Sequence, residues 1–118
     1  MHRVALVLAL LVLGGCTQTL ALSLPKGVPV QVVSAAGATR ELQPSDQAYQ
    51  RLARWLAQNQ GGWSGVYATN PNGGVLVRCG NLHLQFIGSV AFALTTKGMF
   101  TKPVKGSEYA FLTAAPST

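Results

Sequence analysis

The stretch that decides the fold is Val75-Leu76-Val77-Arg78-Cys79-Gly80-Asn81-Leu82-His83-Leu84-Gln85-Phe86. Gly80-Asn81 is a two-residue turn of the kind that joins antiparallel strands. With that loop Cys79 lies opposite Leu82, and the remaining opposed pairs are Val77 with Leu84, Val75 with Phe86, Arg78 with His83 and Leu76 with Gln85. One face of the hairpin is then apolar throughout. Because turn length and apolar alternation agree, the sequence predicts this register.

The period of two continues on both sides of the hairpin, from Trp63 onward. Short turns rich in Gly and Asn separate the runs, and such loops can join only antiparallel strands. The predicted meander has strands at 63–69, 74–79, 82–87 and 90–96, with a further short strand possible at 99–102.

The hairpin after this one is ambiguous. A two-residue loop at Gly88-Ser89 would place Phe92 opposite Gln85, on the polar face. A three-residue loop or a bulge returns Phe92 and Leu94 to the apolar face, and this is the arrangement we predict. The expected core face therefore consists of Val75, Val77, Leu82, Leu84, Phe86, Phe92 and Leu94.

One amphipathic helix is predicted upstream, after Pro44-Ser45-Asp46. Ser45 is the expected N-cap, with Asp46 in the first turn and Gly61-Gly62 at the end. The residues recurring at helical spacing are Ala48, Leu52, Trp55, Leu56 and Asn59, widened by Tyr49 and Ala53.

Two shorter strands are predicted before the helix, at 28–33 and 39–43. Pro29 places the first of them at a sheet edge or puts the proline at the strand's start. The expected fold class is α+β: a small single domain with one amphipathic helix packed on an antiparallel β-meander.

The N-terminus has the features of an export signal. Met1-His2-Arg3 is basic, and residues 4–13 are uniformly apolar but too short to span a bilayer. Leu13-Gly14-Gly15-Cys16 follows, and this segment resembles the lipobox of bacterial lipoproteins. A buried N-terminal helix and a later cut after Ala21-Leu22-Ser23 are the alternatives; the later site lies far beyond the apolar run.

The resemblance implies cleavage before Cys16 and covalent lipid on its sulfur and new amino terminus. Thr17, where retained lipoproteins commonly have Asp, implies sorting to the periplasmic side of the outer membrane, or the cell membrane if sorting fails. The expected organisation is a signal peptide at 1–15, a lipidated Cys and tether at 16–27, the α+β domain at 28–113 and a frayed tail at 114–118. Alternating Leu20, Leu22 and Leu24 leave open that part of the tether lies along the domain.

Charge narrows the expected partners. Without Arg3, eight Lys and Arg residues remain against three acids, a net charge of +5. Basic groups near an anionic leaflet gain roughly 1 kcal/mol each, so lipid headgroups, an anionic envelope polymer or an envelope protein are the expected partners. Nucleic acid is not expected for an exported chain, and the oligomeric state stays open.

Catalytic chemistry is not expected. Cys79 and His83 could form a nucleophile–base pair, but the predicted register puts them on opposite faces. Glu41, Asp46 and Glu108 are too few and too scattered for a metal site or a carboxylate pair. We expect no enzyme and no cofactor other than the lipid.

The predicted partner-binding residues are Arg78, His83 and Gln85 on the polar sheet face and, later, Lys97, Lys102 and Lys105. An open antiparallel sheet commonly leaves one face available. The sequence thus favours a non-catalytic, lipid-anchored envelope protein that acts as a binding or assembly-accessory module. The alternative is an immunity or inhibitor protein that presents the 69–74 loop to a periplasmic hydrolase or toxin.

Overall fold

The computed structural model describes residues 17–66 and 73–114. These residues form one eight-stranded antiparallel sheet with two short helices, a mostly-sheet architecture consistent with the α+β class. The strands are β1 (Thr17–Gln18), β2 (Val30–Val33), β3 (Thr39–Leu42), β4 (Trp63–Val66), β5 (Val75–Cys79), β6 (Leu82–Ile87), β7 (Val90–Thr95) and β8 (Gly98–Pro103). Their order in the sheet is β1-β4-β8-β7-β6-β5-β2-β3. The helices are α1 (Gln47–Gln58) and α2 (Gly106–Tyr109), and a 3-10 turn follows at Ala110–Leu112.

Several predicted features lie outside the described residues. They are the signal peptide at 1–15, Cys16, the end of the first meander strand with its turn at 67–72, and residues 115–118. Within the described part of the chain, no helix is long and apolar enough to cross a bilayer.

The first hairpin has the predicted register. Cys79 pairs with Leu82, Val77 with Leu84 and Val75 with Phe86, while Arg78 pairs with His83 and Leu76 with Gln85. Gly80 has φ +58°, the left-handed conformation that a glycine adopts at little cost in a tight turn. Val75, Val77 and Cys79 are buried on the face toward α1, which we call the inner face.

The prediction for the next hairpin was wrong. Ile87 pairs with Val90 and Gln85 with Phe92, so Gly88-Ser89 is a two-residue loop, with Gly88 at φ +56°. Phe92 and Leu94 therefore point away from the core, onto the face that carries His83 and Gln85. This opposite side of the sheet is the outer face.

Two alanines occupy the inner positions that Phe92 and Leu94 were expected to fill. Ala91 lies opposite Phe86 and Ala93 opposite Phe100, and both alanines are fully buried. Small residues beside large rings let the inner layer fill without overlap, as close-packed interiors require. Placing Phe92 in this layer would overfill it.

The N-cap of helix α1 lies one residue later than predicted. Asp46, not Ser45, is the N-cap, with extended backbone, and helical residues start at Gln47. The Asp46 carboxylate accepts a hydrogen bond of 2.7 Å from the Gln43 backbone N–H, which holds the turn before the helix rather than its first turn. The helix ends at Gln58, and Gly62, at φ +80°, lets the chain turn toward β4.

Aromatic side chains join α1 to the inner face. The Trp55 ring meets Phe86 edge to face at 5.2 Å and Trp63 at 6.4 Å between centroids. Tyr109 stacks on Phe86 at 4.8 Å, and its hydroxyl donates to the Gly88 carbonyl. Trp55 Nε1 donates to Glu108 Oε1 over 3.2 Å, so the last helix is tied to the same cluster. The C-terminal segment thus closes one side of the core.

The segment before β2 is part of the domain. Thr17 and Gln18 pair with β4, and Leu20 N donates to the Gln60 carbonyl over 2.7 Å. Leu20 and Leu22 are buried, so the alternation of leucines reflects packing along the domain. Pro29 stands immediately before β2, at the start of a strand that is paired on both sides.

Candidate functional site

The two faces of the sheet differ in their cover. The inner face lies under α1, the 19–24 segment and the C-terminal segment, whose buried residues form one cluster with it. Met99 is buried but does not belong to that cluster, because it lies on the outer face. Packing of the core therefore explains the side chains of the inner face but not those of the outer face.

Strand pairing arranges the outer face in rows, two of which run from β2 to β4. Directly opposed residues of an antiparallel sheet share a face, with Cβ atoms about 5 Å apart. One row, read from β2 to β4, is Gln31, Arg78, His83, Leu94, Met99 and Val66. The second row is Val33, Leu76, Gln85, Phe92, Thr101 and Ser64.

These rows enclose a concave site of about 400 Å³, which we call the outer groove. This volume is within the range of small-molecule pockets, about 300–1,000 Å³. Its apolar lining is supplied chiefly by Val33, Leu76, Phe92, Leu94 and Met99, and its polar lining by Arg78, His83 and Gln85. Three residues predicted to bind a partner are thus brought together here.

The polar side chains of the groove differ in their hydrogen-bond partners. Gln85 Nε2 donates to the Gly73 carbonyl over 2.7 Å, which fixes that amide at one end of the groove. The side chains of Arg78 and His83 have no hydrogen-bond or ion-pair partner within residues 17–66 and 73–114. Arg78 is exposed and His83 is half-buried.

Glycine shapes the end of the groove near Gln85. Gly74 has φ +71°, and a Cβ built there would lie 2.2 Å from the Phe86 carbonyl oxygen. Real Cβ atoms do not approach a backbone oxygen so closely, so only glycine fits without moving β6. Gly73, at φ +93°, would meet nothing within 4 Å.

The three predicted lysines do not join the groove. Lys97 is exposed in the turn between β7 and β8. Lys102 pairs with Ala91 on the inner face, and its ammonium donates to the Gly61 carbonyl after α1. Lys105 is the N-cap of α2, at the opposite end of β8 from Lys97. Lys102 therefore braces the fold, and the three lysines form no single patch.

A second depression, of about 920 Å³, lies beside α1. Two of its arginines already have partners: Arg40 donates to the carbonyls of Leu112 and Ala114, and Arg51 lies 4.7 Å from the centre of the Phe111 ring. These contacts hold the C-terminal segment. The outer groove is the better candidate site for an anion because Arg78 lines it without any Asp or Glu, whereas Glu41 and Asp46 line the second depression.

The acidic side chains take part in hydrogen bonds within the fold. Glu108 accepts from Trp55 and from the Lys105 backbone N–H, and Glu41 accepts from the Gln43 amide. Within the described residues, no group of three or more His, Cys, Asp and Glu side chains could hold a metal ion.

Cys79 is buried on the inner face, where its Sγ donates to the Val28 carbonyl over 3.4 Å. Burial raises the pKa of this thiol. Burial also raises the pKa of Tyr49, with a smaller contribution from Cys79. His83 is on the other face, so the two side chains form no nucleophile–base pair, as the register predicted.

The apolar half of the groove was missed from the sequence. Phe92 and Leu94 were assigned to the core because residues 90–94 are apolar at every position, and alternation cannot orient such a strand. The usable signal was the turn: Gly at the first position of a two-residue loop favours the tight hairpin that the structure contains.

Comparison with known proteins adds no relative: no protein-family model, no curated protein and no solved structure matches this chain.

Proposed function

We propose that this protein is a non-catalytic, lipid-anchored lipoprotein of the cell envelope, facing the periplasm from the outer membrane. In this proposal the chain is an α+β module in which one amphipathic helix covers the inner face of a β-meander. The outer groove is its binding surface for an envelope component, in a binding or assembly-accessory role.

The observation that carries the proposal is the apolar outer face. Leu94 is 39% exposed, and Phe92 and Met99 lie beside it around the same concavity. A concavity lined mainly by apolar side chains with a few polar groups is typical of ligand sites. Arg78 and His83 on the adjoining strands provide donors that would orient what binds.

The proposed anchor is supported by the lipobox resemblance at Leu13-Gly14-Gly15-Cys16. Two or more acyl chains, at about 0.8 kcal/mol per buried methylene, make attachment durable. A Cys16→Ser chain expressed in a Gram-negative host tests this. We expect it to leave the membrane fraction and to lack the mass of the acyl groups. Retention in the membrane with unchanged mass would contradict lipidation.

Site-specific photo-crosslinking tests the binding surface. A benzophenone amino acid replaces Leu94 in the full-length lipoprotein, and a matched variant carries it at Gln50, which is exposed on α1. We expect a discrete adduct with an envelope component from position 94 only. Identical adducts from both positions, or none from position 94, would refute the outer groove as the binding surface.

The alternative function is an immunity or inhibitor protein. It is favoured by the position of Gly73 and Gly74, the described end of the predicted 69–74 loop, which line the outer groove. A hydrolase captured by the crosslinker at position 94, and inhibited by the purified full-length protein, would select this function. An adduct with no hydrolytic activity to inhibit would select the accessory role.

A further inference from the structure

We infer that the outer groove takes a single-chain anionic amphiphile, a fatty carboxylate, with the carboxylate at Arg78 and the acyl chain across β7 and β8. This inference rests on the proposed binding function and names its ligand class. It follows from the distribution of polar and apolar groups, the size of the groove and the pairing of its strands.

Polarity changes once along one of the two rows that line the groove, the row that contains Arg78. Arg78 and His83 are neighbours on β5 and β6, and Leu94 and Met99 are neighbours on β7 and β8. The row spans three interstrand spacings from Arg78 to Met99, about 14 Å. A ligand that matches this row has a polar end over Arg78 and His83 and an apolar stem that continues over Leu94 and Met99.

The charge of the groove selects an anion. Among the described residues that line it, Arg78 is the sole charged side chain other than histidine, and none is Asp or Glu. Glu41, the acid on the same face, is separated from Arg78 by Gln31. A guanidinium makes two parallel hydrogen bonds to a carboxylate, and His83 adds a ring N–H on the neighbouring strand.

Groove size argues against a docked helix. A helix is about 10 Å across with a 5.4 Å pitch, so about 400 Å³ accommodates roughly one turn. One turn presents too little apolar surface for stable docking. An acyl chain, by contrast, fills a shallow groove along its length.

Strand pairing argues against an extended peptide. The strands that form the floor, β5, β6 and β7, each have a neighbour on both sides. Their backbone groups are therefore used within the sheet and leave none for strand addition. A peptide would bring its own amides into an apolar site, at a cost that an acyl chain does not incur.

Photoaffinity labelling of the lipidated full-length protein in phosphatidylcholine vesicles tests the inference. The probe is a diazirine analogue of dodecanoic acid, and the comparison probe is the matching diazirine dodecanol, which keeps the chain and lacks the charge. We expect saturable labelling of residues 90–99 by the acid, suppressed by excess dodecanoate. We expect roughly tenfold weaker saturable labelling by the alcohol, since a charge-assisted hydrogen bond contributes about one decade in affinity.

Arg78→Gln should reduce labelling by the acid to that of the alcohol, without changing labelling by the alcohol. Arg54→Gln, a matched change at an exposed position on α1, should leave both unchanged. Leu94→Gln should reduce labelling by both probes. Labelling that fails to saturate, or that does not depend on Arg78, overturns the fatty carboxylate. If a protein adduct at position 94 persists in that case, the ligand class fails while the proposed binding function stands.

Discussion

Gln85 and Phe92 lie directly opposite each other on β6 and β7, on the outer face of the sheet. This single pairing decides which side of β7 packs against α1. It places Ala91 and Ala93 in the core and moves Phe92 and Leu94 to the groove. The register can be tested by substitution.

Ala93→Leu adds volume to a fully buried position opposite Phe100. We expect it to lower the free energy of unfolding by about 1–3 kcal/mol, because the inner layer is already filled. Phe92→Leu, the matched change on the outer face, should cost less than about 1 kcal/mol. Urea unfolding of the two full-length variants measures the difference; a larger loss for Phe92→Leu would reverse the register.

The two hairpins show which strand registers can be predicted from the sequence and which cannot. The inner positions of Val75–Cys79 and Leu82–Ile87 are all apolar, and the loop length pairs them with one another, so the sequence predicts one register. The strand at Val90–Thr95 is apolar on both faces, and hydrophobicity then favours burying its larger residues. Which residues fit depends on the volume that Phe86 and Phe100 already occupy, and that is known only once the sheet is assembled. The polar half of the groove could be predicted because the register of the first hairpin could be predicted. The apolar half could not, because the strand at 90–95 is apolar on both faces.

The glycines at the end of the groove should differ in tolerance. Gly73→Ala is expected to cost about 1–2 kcal/mol, the usual cost of a left-handed L-residue, because nothing obstructs its Cβ. Gly74→Ala adds a contact of 2.2 Å with the Phe86 carbonyl and should cost about 1–3 kcal/mol more. Thermal unfolding followed by circular dichroism compares them. Equal losses of stability in the two variants would mean that β6 moves away from the added Cβ at no cost in free energy.

Lys102 should matter for stability and not for binding. Lys102→Met keeps the aliphatic stem and removes the donor to the Gly61 carbonyl, for an expected loss of about 1 kcal/mol. Lys97→Met, at an exposed turn, should stay within about 0.5 kcal/mol of wild type. Crosslinking from position 94 should be unchanged in both backgrounds. A fall in crosslinking with unchanged stability would instead put Lys102 in the binding surface.

Cys79 should make stability depend on alkaline pH. Its pKa is raised by burial, so the folded chain holds the thiol proton more tightly than the unfolded chain does. The protonated thiol's contribution is therefore fully present below the ordinary thiol pKa of about 8.5 and is lost as pH rises through the raised value. Urea unfolding between neutral and alkaline pH should show a steeper fall for wild type than for Cys79→Ala. Parallel curves for the two proteins would exclude this thiol as the source.

The hydrogen bond from Leu20 N to the Gln60 carbonyl and the β1–β4 pairing hold the start of the described chain against the domain. Thr17 belongs to the edge strand β1, one residue after the proposed lipid attachment at Cys16. In the proposed lipoprotein the lipid would therefore be joined to the folded domain without a flexible linker. The domain would stay close to the bilayer, and its binding partner would have to approach the membrane surface.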